Sequence, residues 1–176
     1  MSRKSNYDSY HCPHEVKPYI DKLMEIDFEL AYLSLLTNEG LKPLGRWEKS
    51  LDQYGIELLQ QTGLCIKQIQ RTVKTGNLLV ETIFSKSRNL IKIYEQHFAD
   101  KPIDKSPETQ RLEGYLFGYP PCCIEQYILQ PYCPNNLKEH EQKMLFHWAC
   151  KDCKITPILL PNYKYLSNYL INKQEL

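Results

Sequence analysis

Apolar side chains recur at steps of three and four over Tyr19, Leu23, Ile26, Leu30 and Leu33. That period lines one helix face, so the pattern predicts a helix from about Pro18 to Asn38, stopped by Gly40. Leu41-Lys42-Pro43-Leu44-Gly45 reads as a linker, and a second helix is expected from about Trp47 to Gln61. Residues 64–85 change character. Ile66 to Val73 and Leu78 to Phe84 are rich in β-branched residues and flank Lys74-Thr75-Gly76-Asn77, a turn signal, so a β-hairpin is preferred over a helix. A helix from Arg88 to Ala99 follows, with Ser87 as a candidate cap, and then a loop at Asp100–Lys105.

The next helix begins at Ser106-Pro107-Glu108, a cap residue, a proline at the first helical position and an acid in the first turn. It stops at Gly118-Tyr119-Pro120, and a short helix restarts at Pro121. Asn136-Leu137-Lys138-Glu139 starts another, expected to run through Trp148, and the tail from Ile155 carries Pro157, Pro161, Tyr163, Tyr165 and Tyr169. The fold expected is α+β: a mostly helical single domain over 18–176 with a small central hairpin, preceded by a flexible arm at 1–17.

The chain has 176 residues, enough to bury a core without covalent help, yet it contains seven Cys. No apolar run approaches the roughly 18 residues of a membrane span, and no secretory signal is visible at the start. The cytosol is therefore the expected compartment, where disulfides are rare and an odd cysteine count favours metal ligands or free thiols. The formal net charge is +1, but residues 64–92 hold Lys67, Arg71, Lys74, Lys86, Arg88 and Lys92 against Glu81 alone. Solvated faces account for such a run. The sharper reading makes Lys67, Arg71, Lys74, Lys86 and Arg88 an anion-facing surface for nucleic acid or a phosphorylated ligand.

Five cysteines fall within the Cys-rich part of residues 106–156: Cys122, Cys123, Cys133, Cys150 and Cys153. Two thiols three residues apart can reach one ion, and soft thiolates suit zinc or an iron–sulfur cluster. A tetrahedral site needs a second pair, and Cys122-Cys123 is the obvious one. It sits at an expected helix N-terminus, where the dipole favours thiolate. His147 lies in His147-x-x-Cys150-x-x-Cys153 and is a reserve ligand, expected on one helix face with Cys150. Adjacent cysteines on a helix diverge, which leaves open a site with one of Cys122 and Cys123 as ligand and the other as core, but the ligand set expected is Cys122, Cys123, Cys150 and Cys153. Cys133 would give a looser variant. Cys65 reads as core, and His11-Cys12-Pro13-His14 as a chance cluster.

Gly118-Tyr119-Pro120-Pro121-Cys122-Cys123 together with His147-Trp148-Ala149-Cys150-Lys151-Asp152-Cys153 resembles an uncharacterised, mainly prokaryotic family. Its members carry Gly-Tyr-Pro-x-Cys-Cys and a downstream His-x-x-Cys-x-x-Cys-like segment. The resemblance covers chiefly residues 106–156. It supplies no reaction, but implies that the two cysteine pairs belong together.

Several functions fit these residues. One is a metal-dependent enzyme or electron carrier, with Glu113 or Glu125 as acid or base beside Tyr119 and Tyr127. Another is a non-catalytic module pinned by structural zinc, and a third is the anion- or nucleic-acid-binding hairpin with the Tyr-rich tail. A metal-free thiol oxidoreductase is disfavoured because Cys150-x-x-Cys153 is expected to follow a helix rather than begin one. Phosphate-loop, dinucleotide, serine-hydrolase and HExxH patterns are absent from the sequence.

Overall fold

The computed structural model describes residues 16–174. His11, Cys12 and His14 lie outside the described residues. Of the arm expected at 1–17, only Val16 and Lys17 are described: Val16 is buried and Lys17 opens the first helix.

The elements run α1 (Lys17–Ile26), α2 (Phe28–Asn38), β1 (Gly45–Trp47), α3 (Gln53–Gln61), β2 (Cys65–Thr72), β3 (Leu78–Ser85), α4 (Arg88–Phe98), β4 (Lys101–Pro102), α5 (Pro107–Leu116), α6 (Pro121–Leu129), α7 (Glu139–Met144) and α8 (Thr156–Gln174). This is the α+β fold expected, with one four-stranded sheet in the order β1-β3-β2-β4. The hairpin forms as read. Cys65 pairs with Ser85 at one end and Thr72 with Leu78 at the other, and Gly76 turns the chain with φ of 86°.

Several elements depart from the sequence reading, among them α3, which starts at Gln53 rather than near Trp47. The long first helix is two, broken at Asp27, whose backbone is extended (φ −163°, ψ 128°). Its carboxylate accepts from the Glu29 and Leu30 amides at 2.8 and 3.4 Å, so α2 starts afresh while the apolar period continues across the break. Short strands replace the end of the Leu41–Gly45 linker and the start of the Asp100–Lys105 loop: β1 pairs antiparallel with β3, and β4 parallel with β2. Helix α7 ends at Met144, because Phe146 takes φ of 57°, so His147 and Cys150 share no helix face. The tail is helical despite Pro157 and Pro161.

The core has two parts. Helix α2 is buried from Leu30 through Asn38 and packs against α1 and the Tyr163, Leu166 and Leu170 face of α8, with α3 joining the same core against α1. Between the sheet and α4, a second group joins Ile69 and Ile83 to Ile91, Tyr94 and Phe98, with Leu116 and Phe117 beside them. Helices α5 and α6 meet closely at Gly114. A Cβ there would sit 2.6 Å from the Ile124 side chain, so this approach, which sets down the N-terminus of α6, depends on a missing side chain.

Candidate metal centre and adjoining cleft

Helix α5 ends at Leu116, closed by Gly118 at φ of 71°, and α6 starts at Pro121, because proline suits the first turn where no donor is needed. Cys122 and Cys123 therefore lie in the first turn of α6. Cys150 and Cys153 lie in the segment that enters α8. The four sulfur atoms all lie within 4.8 Å of one another. The Cys122–Cys153 separation is 3.6 Å and the Cys123–Cys150 separation 3.8 Å, so the shortest contacts cross between the two pairs. The sulfurs of both adjacent cysteines lie in the cluster, so the alternative in which one of them is only core is not the arrangement adopted. Cys122 is exposed and Cys123 buried, yet both sulfurs meet those of Cys150 and Cys153.

Donors surround the sulfurs. Cys123 Sγ accepts from the Cys150 amide at 3.3 Å. Cys153 Sγ accepts from the Thr156 amide at 3.2 Å and the Thr156 hydroxyl at 3.1 Å. Burial and the neighbouring thiols push Cys122 up to about 11 and move Cys123 in the same direction. Burial would also raise Cys153, but the Thr156 hydroxyl and amide, with the thiols of Cys123 and Cys122, bring it down to about 7. Cys153 is thus the most readily ionised of the thiols with a resolved shift, and its hydrogen bonds help to offset the negative charge of a thiolate.

Among the described residues, the two remaining cysteines lie apart from this group. Cys133 lends its carbonyl to the Trp148 indole at 2.6 Å, and Cys65 packs beside the sheet–α4 core. His147 is outside the set of mutually close ligand atoms. Its Nδ1 lies 3.2 Å from the Leu145 carbonyl, and its ring stands 5.1 Å from that of Tyr119. Burial, helped by the charge of Lys42 and opposed by the Leu145 carbonyl, lowers it to about 4, so it is a neutral imidazole. One premise changes as well: Cys150-x-x-Cys153 leads into α8 rather than following a helix. The crossed sulfur contacts are nevertheless those of a four-thiol cluster rather than a two-cysteine redox couple.

A cleft of about 910 Å³ adjoins the cluster and is lined in part by Cys123. Its floor is a network of opposite charges. Glu113 Oε1 accepts from Arg71 Nη1 at 2.7 Å and Arg46 Nη1 at 2.9 Å. Glu81 lies 3.6 and 3.9 Å from the same two guanidinium nitrogens and accepts from the Tyr94 hydroxyl at 2.9 Å. Burial raises the Glu81 pKa against the pull of both arginines. Tyr119, Tyr127, Phe146, His147 and Trp148 contribute to the walls.

This network corrects the anion-facing hairpin. Lys67, Ile69 and Arg71 share one face of β2, and α4 packs on it. Arg71 is only 2% exposed and paired with Glu113, while Lys67 meets Glu95 of α4 at 2.9 Å. Lys74, Lys86 and Arg88 remain exposed. Glu125 is held by Arg111 at 2.7 and 2.8 Å on the surface, whereas Glu113 lines the cleft. Sequence reasoning missed Arg46 and Glu81. Glu81 carried a signal, since period two places it with Leu79 and Ile83 on one strand face. Comparison with known proteins finds no matching family model, no similar curated protein and no similar solved structure.

Proposed function

We propose that this protein binds one zinc ion through Cys122, Cys123, Cys150 and Cys153, and that the ion organises one side of a small-molecule cleft. The sulfur spacing carries the reading. A tetrahedron with Zn–S bonds near 2.3 Å has edges of about 3.8 Å, and the two shortest contacts are 3.6 and 3.8 Å. Thiolates on different irons of an iron–sulfur cluster stand farther apart than the edges of one such tetrahedron, which favours a single ion. Four thiolates leave no open position, so the ion is structural, and any chemistry belongs to the cleft. The resemblance to the Gly-Tyr-Pro-x-Cys-Cys family pairs the same cysteines. Reduced thiols suit the cytosol, and among the described residues no helix is long and apolar enough to cross a membrane.

Elemental analysis of protein purified anaerobically tests this. One zinc per chain is expected, with no visible colour. Cobalt exchange should yield the strong visible bands of a tetrahedral thiolate site. Cys122→Ser and Cys150→Ser should lower zinc content, while Cys65→Ser and Cys133→Ser should retain it. Iron with acid-labile sulfide, or metal-free protein whose melting ignores added zinc, would overturn the proposal.

A further inference from the structure

Lys42 lies between α2 and β1 and is 1% exposed. Its nitrogen is 3.5 Å from the Phe117 carbonyl oxygen, at the limit of a hydrogen bond. It also faces the rings of Tyr119 and Phe146, with centroids at 4.6 and 5.4 Å. Among the described residues no carboxylate forms an ion pair with it. Other buried cations behave differently: Arg71 and Arg46 both meet Glu113.

A chamber of about 190 Å³ lies against this amine. Leu33, Leu44 and Phe117 give it apolar walls, and Arg46 and Glu48 supply charged groups. Arg46, Phe117, Tyr119 and Phe146 line both this chamber and the large cleft, so the two spaces adjoin. The ionisable groups around the amine are Arg46, Glu48, Tyr119 and the neutral His147.

We propose that Lys42 is a carbonyl-reacting lysine, whose amine condenses with a small aldehyde or ketone entering the chamber from the cleft. The nitrogen lone pair attacks the carbonyl carbon and the C–O π pair moves to oxygen. The carbinolamine then expels that oxygen as a C=N bond forms. Both amine hydrogens leave with the oxygen as one water, and nothing is oxidised or reduced. Burial supports the chemistry by bringing the Lys42 pKa down to about 7. Near neutral pH that leaves about a thousand times more free amine than on a surface lysine. The apolar walls fit a compact carbon skeleton, and Arg46 and Glu48 fit its polar substituents. The proposal rests on the chamber and not on the metal, so it stands or falls separately from the zinc reading.

Brief treatment of the full chain with propionaldehyde and cyanoborohydride at pH 7.2, followed by peptide mass mapping, tests it. The propyl adduct is expected on Lys42 ahead of every exposed lysine, with the preference shrinking at pH 9.5 as those lysines deprotonate. Adducts on exposed lysines and the N-terminal amine, with Lys42 unmodified, would overturn it. Lys42→Met keeps the stem and removes the charge, and is expected to fold with an unchanged or higher melting temperature. A clear fall would show that the fold relies on the ammonium and would also overturn the proposal.

Discussion

Glu113→Gln removes one charge from the floor of the cleft and nothing from its shape. Glu113 balances two guanidiniums at 2.7 and 2.9 Å, one of them on a side chain only 2% exposed. At those separations each contact attracts by about 6 kcal/mol at an effective dielectric near 20. The desolvation cost of Glu113 disappears with its charge, so the net loss is smaller. Removing one partner of a buried pair typically costs about 3–5 kcal/mol. Glu113 and Arg46 retain 19% and 23% exposure, which places this variant at the lower end, about 3 kcal/mol. For a chain of this length that is a fall of about 6–12 °C in melting temperature. Glu125→Gln is the internal control. It breaks a surface pair with Arg111 of similar distance, where solvent screens both charges, so no measurable shift is expected. Urea and thermal unfolding of zinc-loaded protein, with the denaturant slope checked for constancy, measure both variants. A Glu113→Gln loss no larger than that of Glu125→Gln would show that the cleft solvates the arginines and would refute the buried-network reasoning.

Zinc affinity should fall steeply with acid, because thiolate is the binding form. Cys122 and Cys123 are raised and still protonated at pH 8, so uptake there releases at least two protons, and affinity should drop about 100-fold or more per pH unit. The slope should steepen below about 7, where Cys153 also takes up a proton. Competition with a chelating dye measures this, and a flat profile would contradict it. Asp27→Ala should cost about 1 kcal/mol through loss of the α2 cap. Burial would raise the Asp27 carboxyl, but the Lys49 contact and the Glu29 and Leu30 amides hold it below its usual value. That contribution is present above the unfolded pKa and disappears as pH falls through the folded one. The gap from wild type, both metal-free, should therefore narrow in urea melts at acid pH.

The hairpin was legible because turn chemistry at Lys74–Asn77 and β-branched flanks agree. The start of α5 was legible because Ser106 and Pro107 do different jobs at one helix end. The convergence of Cys122-Cys123 with Cys150 and Cys153 was also readable, since thiol spacing constrains which atoms can meet. The break at Asp27 was hidden because capping restores the apolar period on both sides. Strands β1 and β4 have three and two residues, and pairing with β3 and β2, rather than local preference, makes them strands. Helix α8 was obscured by its prolines. Pro157 falls in the first turn, where no donor is needed, and Pro161 forfeits one backbone bond that tertiary packing outweighs. The inward turn of Arg71 was not visible from charge counting, because its partner Glu113 is 42 residues away.

The two cysteine pairs bracket a segment with little core of its own. Between Ile124 and Ala149 only Leu145 and Ala149 are buried, and α7 contributes no buried residue. Yet that segment carries Tyr127, Phe146, His147 and Trp148 of the cleft wall. A tie at its two ends confines a loop of nearly thirty residues, and such closure is worth on the order of 3–4 kcal/mol. If zinc holds the four cysteines as proposed, its removal should act on the aromatic wall before it acts on the α2 core. The cleft would then be a gauge of metal supply: a chain starved of zinc would keep its helical centre and lose the pocket that a ligand would recognise.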